Sequence, residues 1–315
     1  MRIDIPENTQ YFGEGATNFN ALCNCQIFLN IASRKLRSLY PQCPIDDIKA
    51  TEVSILLRII TSIDSFVFLC LQGVDYPSCC TIARSIADSL ITIRLIYQEK
   101  DKNEQTFRHY LYLLDGFLQN AKLLEENIIK DDRITDKEYE ALSKQYESAK
   151  KNFSEGIVFC KDKLNNHPYS TTYPDFSHLA IEKALWKYKS KELGRNGRVA
   201  SFTWKDLYGL LDRRPSITSM YSSFFSQFVH GLSISNISGH DDADNFESLA
   251  SFVVCLQGIL IQELKDSFNE DNKLLEFVTG EDIKQALMLY SPERMKDLLD
   301  RWRNDANNTG IKQNQ

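Results

Sequence analysis

Apolar positions recur along this chain at three- to four-residue spacing, and no segment shows the strict alternation of a strand. The spacing predicts helices over about 17–39, 46–72, 77–100, 103–130 and 135–164, then 178–192 and 244–268. A short helix, TWKDLYGLLD, follows Thr203, another opens at Pro215, and three short ones fill about 271–303. Punctuation agrees with these bounds. Asp46 and Asp47 stand where a helix dipole favours acids, Gly73 suits a C-terminal cap, and Thr135 precedes Glu138 by three residues, a capping-box spacing. Between 165 and 177 two prolines break the pattern. The fold class read from this is all-α: an elongated multi-helix bundle forming one domain over 1–315. Its core is expected at about 17–164 and 215–303, with an irregular insert at about 165–214.

Composition changes this picture little. Hydrophobic residues make up 43% and charged residues 25%, so a sizeable core is expected. The net charge of -6 excludes a wholesale nucleic-acid binder and confines any such contact to a local patch. Most of the eight cysteines lie inside apolar runs, where they behave as small hydrophobes, and no C-x-x-C pair exists. No metal site and no cofactor are expected. The start, MRIDIPENTQ, lacks the apolar core of a signal peptide, and the longest apolar runs fall short of a membrane span. The expectation is a cytoplasmic protein without a membrane partner.

Candidate chemistry begins in CCTIARSIADSLITIRLIYQ, a helix apolar nearly all round, which predicts burial. Arg84 and Asp88 stand four apart on it and can pair. A pair on such a helix is either a packing salt bridge or part of a polar pocket, with Arg84 holding an anion and Asp88 orienting it. In SMYSSFFSQFVHG, Tyr221, Phe224, Phe225 and Phe228 share one face. Ser223, Ser226, Gln227 and His230 share the other. His230 either ends a helix beside Gly231 or supplies acid–base chemistry to the Arg84/Asp88 pocket.

The stretch IARSIADSLITIRLIYQEKDKNEQTFRHYLYLLDG, followed much later by MYSSFFSQFVHG, resembles a family of bacterial helical proteins that share a domain of unknown function. Over about 55–235 the resemblance carries Arg84, Asp88, Phe107, Tyr110, Tyr221 and His230, with Asp88 standing where the family has Glu. It implies a fold and a candidate site but no activity. The chain is also similar, in being all-helical, to the HEPN nucleases of toxin and antiviral-defence systems. Their motif places a His after an Arg with four to six residues between them. None of His109, His167, His178, His230 and His240 has that spacing, and Arg108 and His109 are adjacent.

A second signal is the basic window 183–205, KALWKYKSKELGRNGRVASFTWK, with seven basic residues against one acidic. Lys187, Lys189, Arg195 and Arg198, interleaved with Trp186, Tyr188 and Trp204, suit RNA or a nucleotide. A solvated helix followed by a mobile Gly-containing loop, GRNGR, suits the window equally. HDDAD at 240–244 reads as a helix start rather than a cation site. The expected function is binding of a protein partner or an anionic ligand through a polar pocket, with self-association through the long helices. The alternative is an RNA- or nucleotide-processing enzyme.

Overall fold

In a computed structural model of the chain we describe residues 17–72, 75–124, 130, 133–211, 223–229 and 243–272. The fold is all-α apart from one two-stranded hairpin. In order the elements are α1 (Thr17–Leu39), α2 (Ile48–Gln72), α3 (Tyr76–Thr92), α4 (Lys102–Leu123) and α5 (Asp136–Asn165). Then come α6 (Pro168–Thr172), α7 (Pro174–Glu182), β1 (Tyr188–Leu193), β2 (Val199–Ser201) and α8 (Trp204–Tyr208). The last two are α9 (223–229) and α10 (Ala243–Asn272). The chain divides into two compact units, Met1–Ile91 with Leu211–Gln315, and Thr92–Leu210. Residues 165–210 thus group with α4 and α5. The expected C-cap Gly73 and nearly all of the predicted short helices over 271–303 lie outside the described residues.

In the first unit α1 packs on α2 and α10 through Leu22, Ile27, Leu29, Leu56, Ile63, Leu256 and Leu260, all essentially without solvent exposure. A chain of amides ties the three helices together. Gln257 Nε2 donates to Leu22 O at 3.0 Å and Gln26 Oε1 at 3.2 Å. Gln26 Nε2 donates onward to Ile60 O at 3.0 Å and Asp64 Oδ1 at 2.8 Å. Helix starts follow the local chemistry: Asp47 Oδ1 accepts from Ala50 N–H at 2.9 Å, opening α2. Of the expected aromatic face, Phe225 and Phe228 are buried, with Phe225 against Phe252 at 5.1 Å.

One expectation is corrected here. Ile48–Cys70 and Asn245–Phe268 are long and apolar enough to cross a membrane by length and composition. Counting uninterrupted apolar runs missed them because isolated polar residues such as Asp64 and Gln257 break the runs. Asp64 accepts from Gln26 of α1, and Gln257 donates to the Gln26 amide oxygen. The cysteines behave as read. Cys23, Cys70, Cys79, Cys80 and Cys160 are buried free thiols, and burial pushes Cys23, Cys80 and Cys160 up to about 12.

The second unit is built on α4 and α5. The predicted capping box opens α5: Glu138 N–H donates to Thr135 Oγ1 at 3.3 Å and Thr135 N–H to Glu138 Oε2 at 2.8 Å. Near its far end the buried Gly156 lies against the Phe117 ring of α4, where a Cβ would fall 2.7 Å from the ring edge. The helix expected over 77–100 stops being α-helical at Thr92 and makes a π turn over Ile93–Tyr97.

The helix predicted over 178–192 forms only to residue 182, within α7, and its second half is not helical. Instead α7 ends at Glu182 in a Schellman motif: Leu185 N–H donates to Ala180 O at 2.9 Å and Ala184 N–H to Ile181 O at 3.3 Å. Ala184 takes the left-handed conformation, φ 47°, that glycine normally fills, so the stop signal is invisible in the sequence. The chain then runs into β1. GRNGR, read as a mobile loop, is a defined turn: Gly197 N–H donates to Gly194 O at 2.8 Å, and Gly194 N–H to Arg198 O at 2.9 Å. Gly197, at φ 68°, supplies the left-handed residue of a three-residue hairpin loop.

Candidate functional site

A two-stranded hairpin is marginal alone in water and needs a partner surface. The partner here is one face of α4. Asp101, Glu104, Arg108, Tyr112 and Asp115 follow one another at three- and four-residue steps and line one side of the helix, counting from its N-cap. Asp101 is that cap, accepting from Asn103 N–H and Glu104 N–H.

Arg108 is the centre of the junction. Its Nη1 donates to Trp186 O at 2.9 Å and its Nη2 to Tyr188 O at 3.0 Å, two carbonyls on one side of the strand. Its Nε donates to Glu104 Oε1 at 2.9 Å, and its guanidinium carbon lies 3.8 Å from the Tyr188 ring centre. Lys191 Nζ closes the other Glu104 oxygen at 2.8 Å. Tyr169 of α6 sets its hydroxyl 3.1 Å from Asp101 Oδ2 and 3.2 Å from Glu104 Oε2. At the hairpin's base Trp186 Nε1 donates to Asp115 Oδ2 at 3.1 Å. The strand register slips between Tyr188, paired with Ser201, and Leu193, paired with Val199. That irregularity lets both Tyr188 and Lys191 face α4.

Electrostatics follow from this packing. Burial alone would raise the Glu104 carboxyl, but Lys191 and the Arg108 guanidinium outweigh it and hold it below the ordinary range. Burial would lower Lys191, yet Glu104 and Tyr169 raise it to about 12. Burial raises the Tyr169 phenol to about 12. His167 caps α6 by accepting from Tyr169 N–H at 3.1 Å, and burial holds its pKa below the usual histidine value. Beneath the network Phe107 is fully buried against the rings of His167, Tyr169, Phe176 and Tyr188. The cations and carboxylates of this network are paired with one another, while the Tyr188 hydroxyl is sealed from solvent without a hydrogen-bond partner; the pairing holds the hairpin in place.

Several basic side chains of the hairpin lie outside this network. Lys187 Nζ lies 4.6 Å over the half-buried Trp204 ring and 5.4 Å from Trp186. Lys189 Nζ pairs with Asp206 Oδ2 at 2.9 Å and lies 5.4 Å from Phe202. Arg195 and Arg198 are exposed at the turn, as is Lys205 at the start of α8. A second capping box, Thr203 with Asp206, fixes Trp204 in the first turn of α8. The structure thus brings Lys187, Lys189, Arg195 and Arg198 onto one hairpin, as a formed surface rather than a helix and loose loop.

Arg84 and Asp88 stand on α3 and Tyr110 on α4. Arg84 Nε lies 3.6 Å from Asp88 Oδ2, so that pair forms, but the side chains are 16% and 28% exposed. It is a half-buried pair, not a core one, because Thr81 and Ser85 face solvent on the same helix. Arg84 Nη1 is sealed from solvent without a hydrogen-bond partner. Tyr110 is buried edge-on to His109 and Phe159, at 5.0 and 6.1 Å. His230, Tyr221 and residues 240–242 of HDDAD lie outside the described residues. Sequence reading missed Glu104 and Arg108, whose four-residue spacing, acid before base, was as visible as that of Arg84 and Asp88. Among the described residues no group of three or more His, Cys, Asp or Glu is arranged to hold a metal ion. No family model, curated protein or solved structure matches the chain.

Proposed function

We propose that the protein is a binding module that docks an anionic partner on the 188–201 hairpin and the first turn of α8. The observation that carries this reading is the division of charge at the junction. The buried cation Arg108 and the neighbouring Lys191 are spent on Glu104 and on backbone carbonyls. Lys187, Arg195 and Arg198 remain outside, with Lys189 shared with Asp206, along a strand pair held from behind. A rigid display of cations binds a polyanion at less entropic cost than a floppy loop. It also gives an acidic chain a local positive surface, which steers partners without making the whole protein basic.

The test is a titration of labelled polyanions against the protein between low and moderate salt. Saturable binding that weakens steeply with salt is expected, together with a flatter dependence when Lys189, Arg195 and Arg198 are all changed to Gln. Salt-independent binding, or none, overturns the proposal. A second reading places a small anion at Arg84 and is supported by its unpartnered Nη1. It predicts a rise in melting temperature with inorganic phosphate that Arg84→Met abolishes; a rise unchanged in that variant removes it.

A further inference from the structure

Resting on that reading, we infer that the anion docked by the hairpin is a single-stranded nucleic acid. Its phosphates engage Lys187, Arg195 and Arg198, and a base stacks on Trp204. The argument starts from where the cations stand. Lys187 is parked over the Trp204 ring and Lys189 over Phe202, so the cationic strip is also an aromatic one. Phe202 N–H donates to Lys187 O at 2.7 Å, which fixes the rings beside the cations through the backbone rather than by chance of rotamer.

A cation over a partly exposed ring is weakly held, whereas an ammonium–phosphate contact is a charge-assisted hydrogen bond. A phosphate that draws Lys187 off the indole therefore bares a flat face at the same moment, and a base is the group that fills it. An acidic peptide would supply the anion but leave that face empty. A duplex would supply phosphates while keeping its bases stacked on one another. The thymine- or uracil-bearing strand needs no edge recognition here, because stacking is indifferent to base identity. Asp206 opposes the docking: its carboxylate neutralises Lys189 at 2.9 Å. Relieving that carboxylate should strengthen the site, and Asn at 206 still offers an oxygen to Thr203 N–H, so Thr203 remains the cap of α8.

The experiment titrates the full chain with labelled 12-mers of uridylate and thymidylate, and with inorganic polyphosphate and polyglutamate as anions without bases. Trp204→Leu should weaken both oligonucleotides about fivefold or more and leave polyphosphate unchanged, while Trp204→Phe retains binding. Asp206→Asn should tighten every anion. Should Trp204→Leu lose its fold by circular dichroism, quenching of wild-type tryptophan fluorescence by the oligonucleotides and not by polyphosphate supports the inference. Equal quenching by both overturns it. Polyphosphate or polyglutamate binding as tightly as the oligonucleotides, with Trp204→Leu affecting neither, overturns the nucleic-acid inference and leaves the anion-docking reading standing. No binding of any anion, by wild type or by Asp206→Asn, removes both.

Discussion

Replacing Arg108 by Met removes a guanidinium whose side chain is 7% exposed and leaves its volume largely filled. Three debts arise. The carbonyls of Trp186 and Tyr188 lose their side-chain donor, at about 1–3 kcal/mol for each buried acceptor left unsatisfied. Glu104, 10% exposed, loses one of its two cations, and breaking a buried pair typically costs about 3–5 kcal/mol. These terms overlap rather than add, because Lys191 still compensates Glu104 and a strand carbonyl retains its second lone pair. The expected loss is about 4 kcal/mol. With a urea slope of about 2 kcal/mol per molar, that moves the midpoint down by about 2 M. Arg108→Lys should recover less than half of it, since one ammonium cannot fork across two carbonyls. Arg108→Met with Glu104→Met should lose less than the two single changes summed, the coupling reaching about 2–3 kcal/mol. The assay is urea denaturation followed by tryptophan fluorescence, with hydrogen exchange of hairpin amides reporting where the loss falls. A cost under about 1 kcal/mol, or hairpin amides as protected as in the wild type, would refute the clamp.

Three further outcomes are expected. Ala184→Gly should stabilise by up to about 1 kcal/mol, because the left-handed C′ position then carries no Cβ penalty; a thermal melt showing destabilisation contradicts the Schellman reading. Gly156→Ala should gain little or lose stability in the wild type, where the Phe117 ring occupies the space, yet gain about 1 kcal/mol of helix propensity beside Phe117→Leu; equal effects in both backgrounds would show that the ring yields freely. Stability should also fall as pH drops from about 5 to 2. The carboxyls of Asp101, Glu104 and Asp206 are held low in the folded chain, Asp206 at about 2, so the unfolded chain binds protons first and is favoured through that window. At the other extreme the stabilisation from Lys191 is present below its unfolded value and lost as pH rises through about 12. Melting temperatures flat between pH 5 and 2 would contradict the acid-side assignment.

The long helices could be read from spacing because each buries a stripe that the sequence displays, and because Thr135–Glu138 announces its own start. The hairpin could not be read from period. KSKEL is made of good helix formers and becomes a strand only because Ala184 ends α7 and Arg108 claims the carbonyls on either side of residue 187. The turn carried a signal that the reading as a mobile loop passed over, a glycine at the third loop position of GRNGR. The basic surface was visible as composition, with its shape hidden. Arg84 and Asp88 showed their pairing but not their exposure, which depends on the side of α3 that Thr81 and Ser85 turn to solvent.

The Arg108 junction also sets an order of events in time. Its two strand bonds join residues 78 and 80 positions apart, so the α4–α5 pair and the turn at α6 must be gathered before the guanidinium meets its carbonyls. The charged arm is therefore expected to form late in folding. A chain caught before that step would hold the rod pair without the arm seated on it.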